Sequence, residues 1–153
     1  MTGKVEITDH LKCVTLDLKA TTRRGVIEEL VGLLVKSGIR QNKKETVNAL
    51  MNRESEGSTG IGKGVAIPHA KLKTLKSPVI AFGRSVKGID FSSIDKKAAH
   101  LFFLILSPTE KNLQLRTLAR ISRFSNESSF RNRLKAADTE EEILQIIKEK
   151  DKD

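Results

Sequence analysis

The sequence predicts an α/β domain of three layers, α/β/α, with a mixed central sheet flanked by helices. Three observations predict it. Short runs of alternating or continuous apolar residues interchange with segments whose apolar residues recur every three or four positions. The run Leu101-Phe102-Phe103-Leu104-Ile105-Leu106 is apolar without a break, as a strand buried on both faces must be. The 153 residues show no internal repeat, no low-complexity stretch and no linker. One domain over 1–153 is therefore expected, and a chain of this length buries roughly 70% of its unfolded surface.

Val14, Leu16 and Leu18 alternate with polar residues and predict a half-buried first strand. Thr21 or Thr22 offers an N-cap to a helix carrying Val26, Ile27, Leu30, Leu33 and Leu34, which Gly38 closes. Asn42 opens a second helix, with Glu45 as capping-box partner, Val47, Leu50 and Met51 inward, and an end near Glu54. Val65-Ala66-Ile67 reads as a short strand or extended segment, and Val79–Phe82 as another strand. Gly88 to Lys97 is turn-rich, with Asp95-Lys96-Lys97 at a hairpin tip; the strand His100–Leu106 stops at Ser107-Pro108.

From Glu110 the spacing is helical. Leu115, Leu118, Ile121 and Phe124 share one face, Asn126 starts a shorter helix with Phe130 and Leu134 inward, and Thr139 with Glu142 caps a last one. That last helix is anchored by Ile143, Leu144, Ile146 and Ile147, and the charged tail 148–153 is expected to fray.

Composition narrows the function. The net charge of +9 favours anionic partners, among them phosphorylated groups. Nucleic-acid binding has no motif behind it: the basic residues are spread along the chain, and Trp and Tyr are absent. The single cysteine, Cys13, excludes a disulfide framework, and His10, His69 and His100 share no ligand spacing, so no metal is expected. The start, Met1 to Glu6, lacks the apolar segment of a signal peptide, and no run approaches the ~18 apolar residues of a membrane span. A cytoplasmic protein without membrane insertion is expected.

The segment Gly57-Ser58-Thr59-Gly60-Ile61-Gly62-Lys63-Gly64-Val65-Ala66-Ile67-Pro68-His69 carries the chemistry. Glycines let backbone N–H groups approach an anion. Residues 57–63 satisfy the opening of a Walker A loop, but Gly64 stands where a magnesium-binding hydroxyl is needed. The loop also leads from helix to strand, the reverse of a nucleotide-binding loop. A lone histidine after a proline is ordinarily a surface residue. Here Pro68 stiffens the backbone that presents it, and Arg53, Lys63, Lys71, Lys73 and Lys76 lie around the loop in sequence. A neutral imidazole has one nitrogen free to attack phosphorus while a hydrogen bond to the other sets the tautomer.

The stretch Met51-Asn52-Arg53-Glu54-Ser55-Glu56-Gly57-Ser58-Thr59-Gly60-Ile61-Gly62, followed by Gly64 to His69, resembles the signature of the fructose/mannitol-type enzyme IIA domains of the bacterial phosphoenolpyruvate-dependent phosphotransferase system. Leu16 to Ala20 and the Phe91…Ile94-Asp95 turn extend the resemblance over most of the chain. It implies a mixed sheet between helices, and a phosphoryl carrier whose acceptor is His69. The donor would be the phosphocarrier HPr or its nitrogen-branch relative. The phosphoryl group would pass to a cysteine of an enzyme IIB, or the phosphorylated state would regulate target proteins by binding. Arg53 matches an arginine near the active site, and Ser58 and Thr59 match loop hydroxyls. No cofactor and no metal are implied. As a lone domain, the chain looks most like the nitrogen-regulatory enzyme IIA, with sugar transport or a non-phosphorylated binding regulator as the alternatives.

One departure stands out. Many relatives carry a second histidine in the helix matching Lys111–Leu118, and here that segment is Lys-Asn-Leu-Gln-Leu-Arg-Thr-Leu. Asn112, Gln114 or Arg116 is expected to supply the missing hydrogen bond, with Gln114 and Arg116 as phosphate-binding candidates.

Overall fold

Strands form where the sequence alternates or runs apolar, and helices where apolar residues recur at three-to-four spacing, three of them behind a side-chain cap. The computed structural model describes residues 5–110 and 112–152. In chain order the elements are α1 (Ile7–His10), β1 (Leu11–Thr15), α2 (Arg23–Lys36), α3 (Lys43–Ser55), β2 (Gly60–Gly62), β3 (Val65–Ala66), β4 (His69–Lys71), β5 (Val79–Ile89), β6 (Ala99–Ser107), α4 (Leu113–Ser125), α5 (Ser128–Ala136) and α6 (Glu140–Asp151). The caps are as expected: Thr22 Oγ1 accepts from Gly25 N, Asn42 Oδ1 from Glu45 N, and Thr139 Oγ1 from Glu142 N.

The sheet runs β1-β5-β6-β3-β2, with β4 pairing β6 beyond β3. β5 and β6 form the antiparallel hairpin, β1 lies parallel to β5, and β3 and β4 lie parallel to β6. The period of two along β6 sends Phe102, Leu104 and Leu106 into one core and Leu101, Phe103 and Ile105 into the other. The first core is closed by α2 and α3 through Ile27, Leu30, Val47 and Leu50. The second is closed by α4, α5 and α6 through Ile121, Phe124, Phe130, Leu134, Ile143 and Ile147. The mixed sheet with helices on both faces is the predicted fold class. The aromatic rings Phe82, Phe103, Phe130 and Phe124 contact one another in series inside the second core, at centroid separations of 5.0, 6.4 and 5.8 Å.

Several element-level expectations are corrected. The first strand ends at Thr15; beyond it Leu18 is bonded through its N–H to the carbonyl of Arg84 and packs in the first core. The glycine segment is itself a strand, β2, and β4 starts at His69. Asn126 is the C-cap of α4, and α5 follows from Glu127. Leu144 is 41% exposed and does not anchor the last helix. The expectations on Met1–Lys4, Lys111 and Asp153 lie outside the described residues.

Most of the segment expected to fray is helical. Lys148–Asp151 complete α6, and Asp151 is buried. Its carboxylate accepts from the N–H groups of Ile7 and Thr8 and from Thr8 Oγ1, and pairs with the buried Arg120 of α4 at 3.2 Å. Arg120 Nη2 also donates to the Asp151 carbonyl at 2.8 Å. One residue thus joins α1, α4 and α6. Breaking a buried ion pair by removing one partner leaves the other charge uncompensated. Asp151→Ala is expected to lower the unfolding free energy by about 3–5 kcal/mol, read from urea unfolding.

Candidate functional site

Pro68 decides where the site lies. Between the pairs Ala66↔Phe102 and His69↔Ile105 both strands advance by three residues, so β3 and β4 keep a single register along β6. Proline cannot donate to the ladder, and the pairing is interrupted there. The Pro68 carbonyl still accepts from Ile105 N at 2.9 Å. β2 covers β3 but stops short of β4, so His69 opens an edge segment. Val65 and Ile67 point into the second core and Ala66 and Ala70 into the first. The same alternation puts His69 on the side of α4. There it lines a cleft of about 330 Å³ with Arg53, Ser58, Ile61, Leu115 and Leu118. A neighbouring recess of about 520 Å³ is lined by His69, Arg53, Asn52, Lys71 and Gln114.

The half-buried imidazole has one nitrogen committed. Nδ1 lies 2.8 Å from the carbonyl of Ile67, which can only accept, so Nδ1 carries the proton and Nε2 keeps a lone pair. Burial pushes the His69 pKa below the ordinary value; the bond to Ile67 opposes this, the Arg53 guanidinium adds to it, and Glu54 works against it. The outcome is a neutral ring at neutral pH, with a nucleophilic nitrogen close to a cation. Cys13 offers no such chemistry, because burial raises its thiol to about 11.

The glycine loop is a scaffold. Glu54, buried in the last turn of α3, accepts from Thr59 N and from Thr59 Oγ1, and its charge is met by Arg23 Nη1 at 3.5 Å. Arg23 in turn donates to Ser92 Oγ at 2.6 Å and lies over the ring of Phe91. Ser58 Oγ donates to the Phe91 carbonyl and accepts from Gly60 N. A Cβ at Gly60 would stand 2.2 Å from Ser93 Oγ, so a side chain there would have to displace that hydroxyl. Lys63 and Gly64 are the two residues between the paired Gly62 and Val65, with φ of 57° and 80°. Positive φ at both positions is the requirement of a type I′ hairpin turn. The Gly-Lys-Gly that imitates a nucleotide-binding loop is a strand-to-strand turn. The loop N–H groups of Thr59, Gly60, Lys63 and Ile67 are spent on Glu54, Ser58, Asp95 and Thr59. They form no anion cradle, contrary to the expectation from the glycines.

The candidates therefore divide. Arg53 and His69 line both recesses, and Arg53 Nη1 is steadied by the Gly57 carbonyl at 2.8 Å. Ser58 and Thr59 line the cleft, with hydroxyls that donate to the Phe91 carbonyl and to the Glu54 carboxylate. Gln114 lines the second recess; Asn112 and Arg116 are exposed and line neither. Of the lysines near the loop in sequence, Lys71 reaches the second recess. Sequence reasoning missed two participants, Glu54 and the Ile67 carbonyl. The signal for Glu54 was its place on the inward stripe of Val47 and Leu50, where a carboxylate demands a partner. For a backbone carbonyl there is no residue-type signal. Among the described residues, no group of three or more His, Cys, Asp or Glu is arranged to hold a metal ion, and no helix is long and apolar enough to cross a membrane.

An α/β/α domain that holds one neutral imidazole beside a fixed arginine is of the class that can take an electrophilic group on nitrogen. The family model described as "Phosphoenolpyruvate-dependent sugar phosphotransferase system, EIIA 2" matches residues 10–150, and the chain belongs to this family. Its members are phosphotransferase components that carry phosphohistidine, and the chain is a phosphoryl carrier of that system. It is 41% identical over 141 residues to the fructose-specific EIIABC component of Bacillus subtilis, covering 91% of this chain and 22% of that one. It is 36% identical over 142 residues to the fructose-specific EIIA component of Haloferax volcanii, covering 91% of each. The crystal structure of the nitrogen regulatory protein IIA-Ntr from Neisseria meningitidis matches with a TM-score of 0.81 at 29% identity, covering 92% of this chain and 98% of that one.

The sign of the His69 shift is testable. Its titration midpoint, followed by NMR of the ring, is expected below 6.5, with the Nδ1–H tautomer above it. Because the fold favours the neutral ring, the associated stability is complete above 6.5 and lost as pH falls through the folded midpoint. Arg53→Ala removes a neighbouring cation, so it should move the midpoint upward.

Proposed function

We propose that His69 is the phosphoryl acceptor, through Nε2. The observation that supports this best is the 2.8 Å bond from Nδ1–H to the Ile67 carbonyl, which leaves Nε2 as the only ring nitrogen with a lone pair. The donor is a phosphorylated imidazole on an HPr-like carrier protein. In the transfer, the donor's N–P bond breaks and its electron pair stays on the departing ring. The Nε2–P bond forms from the His69 lone pair, and the Nδ1 proton remains where Ile67 holds it. The phosphorylated ring gains positive character, which the carbonyl stabilises. Arg53, already oriented by Gly57, faces the charge on the phosphoryl oxygens, and such preorganised charge is worth most in a partly desolvated cleft. Ile61, Leu115 and Leu118 surround the cleft with apolar surface; Ile61 and Leu115 are exposed and suit the face of a partner protein.

Onward use is the finer part of the reading. The fructose-specific names of the relatives that are 41% and 36% identical support delivery to the cysteine thiol of an enzyme IIB. The likeness to IIA-Ntr supports a second role, in which phosphorylation controls binding to regulatory targets. Either use places the protein in the cytoplasm, where the phosphoenolpyruvate-linked donor is made. Ser58 and Thr59 serve the phosphoryl group indirectly, by holding the loop in shape.

Incubation with labelled phosphoenolpyruvate, enzyme I and HPr is expected to put acid-labile phosphate on the wild-type protein and none on His69→Ala. Label that persists in His69→Ala, or its absence from the wild type, would overturn the assignment. Loss of label on addition of an enzyme IIB separates transport from regulation.

A further inference from the structure

The closed end of the β5–β6 hairpin holds a second fixed imidazole. His100 stands near the start of β6, five residues before Ile105, the strand partner of His69. At the rise of an antiparallel strand that separation is about 17 Å. His100 Nδ1 lies 2.9 Å from the carbonyl of Ser85, which can only accept, so in the neutral ring Nδ1 carries the proton and Nε2 keeps a lone pair. Among the described residues Nε2 has no hydrogen-bond partner, yet it is open to solvent. A Cβ at Gly88, whose φ is 89°, would stand 2.9 Å from Nε2, so a larger residue there would crowd that nitrogen. The half-buried ring lines a recess of about 270 Å³ with Arg84, Ser85, Val86 and Lys135.

The cations of this recess are placed, and none of its described lining residues is acidic. Arg84 Nε donates to the Leu16 carbonyl, and Nη1 to the carbonyls of Leu134, Lys135 and Ala137 where α5 ends. The negative end of α5, which would repel an anion, is thereby covered. Arg84 Nη2 is left without a partner among the described residues and is open to solvent. Lys135 makes no ion pair among them; a Cβ at Gly64 would stand 3.9 Å from both its Nζ and His100 Cδ2. A larger recess of about 590 Å³ shares Ser85 and Val86, and its one carboxylate, Asp17, is paired with Lys19 at 2.7 Å.

Two unspent cationic donors select an anion, and a phosphate monoester gives them oxygens that only accept. The His100 Nε2 lone pair selects a donor, which a hydroxyl on the same ligand supplies. A carboxylate or a bare phosphate dianion satisfies the cations and leaves Nε2 unused. A recess this small suits a phosphoryl group with a few carbons. Phosphorylation of a sugar, which the family's description names, yields esters of this class. We propose that the recess at Arg84, His100 and Lys135 is a binding site for a small hydroxylated phosphate monoester, separate from the transfer site at His69. The monoester's oxygens accept from Arg84 Nη2 and Lys135 Nζ, and its hydroxyl donates to His100 Nε2. No covalent bond changes.

The test titrates the full chain with glycerol phosphate, methyl phosphate and inorganic phosphate, following the ring signals of His100 and His69 separately by NMR. Glycerol phosphate is expected to move the His100 signals at a lower concentration than the His69 signals. It should bind more tightly than methyl phosphate, which has no hydroxyl. Lys135→Ala should weaken binding about tenfold, the loss of one hydrogen bond to a charged group. His100→Asn keeps an N–H for the Ser85 carbonyl and removes Nε2, so it should abolish the preference for glycerol phosphate over methyl phosphate. Both variants should accept phosphate on His69 and unfold thermally as wild type does, because neither side chain belongs to the transfer site. In wild type, His100 signals that stay in place, movement confined to His69, or equal affinity for the two esters would overturn the proposal. So would a Lys135→Ala affinity equal to that of wild type. None of these results bears on His69 as the acceptor.

Discussion

The bond from His69 Nδ1–H to the carbonyl of Ile67, 2.8 Å long and spanning two residues, is the interaction on which the site depends. It needs a carbonyl that the sheet has not used and a ring turned back on its own backbone. Pro68 between the two interrupts the ladder while β3 and β4 hold one register on β6. The tautomer follows from that backbone, and with it Nε2 as the ring nitrogen that keeps a lone pair. Burial and Arg53 then keep the ring neutral.

The loop in front of the histidine is held by a buried charge. Glu54 gathers Thr59 from the loop and Arg23 from α2, and Arg23 reaches on to Ser92 and Phe91. A buried carboxylate of this kind adds little net stability over an apolar substitute, but loss of one partner is severe. Its effect is to specify one loop conformation. The tight contact at Gly60 and the positive φ at Lys63 and Gly64 close the alternatives. Glycine richness here reflects close packing and a hairpin turn, and the cation that faces the site comes from Arg53 on α3.

The third side of the site is α4, and α4 is positioned from far away. Ile121 and Phe124 bury it against the sheet, and Arg120 ties it to Asp151, which also accepts the first N–H groups of α1. Leu115 and Leu118 reach the His69 cleft because the apolar stripe of α4 continues past the core. That is why Leu115 is exposed despite its helical spacing: one end of the stripe meets the sheet and the other overhangs the site.

The elements with strong local signals are legible along the chain: the capped helices, the uninterrupted β6, the Pro-His pair and the family to which they point. These are properties of neighbours along the chain, which propensity, capping and periodicity report directly. Packing in three dimensions sets the pairing of β3 and β4 to one strand, the burial of Asp151 in a tail that composition reads as solvated, and the approach of Phe91 to Ser58 across 33 residues. It also separated Gln114, within the recess, from Asn112 and Arg116 outside it. The physical reason is the same in each case. A hydrogen bond or an ion pair satisfies a polar group from whatever part of the chain the packed layers bring to it, and one-dimensional spacing carries no record of that partner.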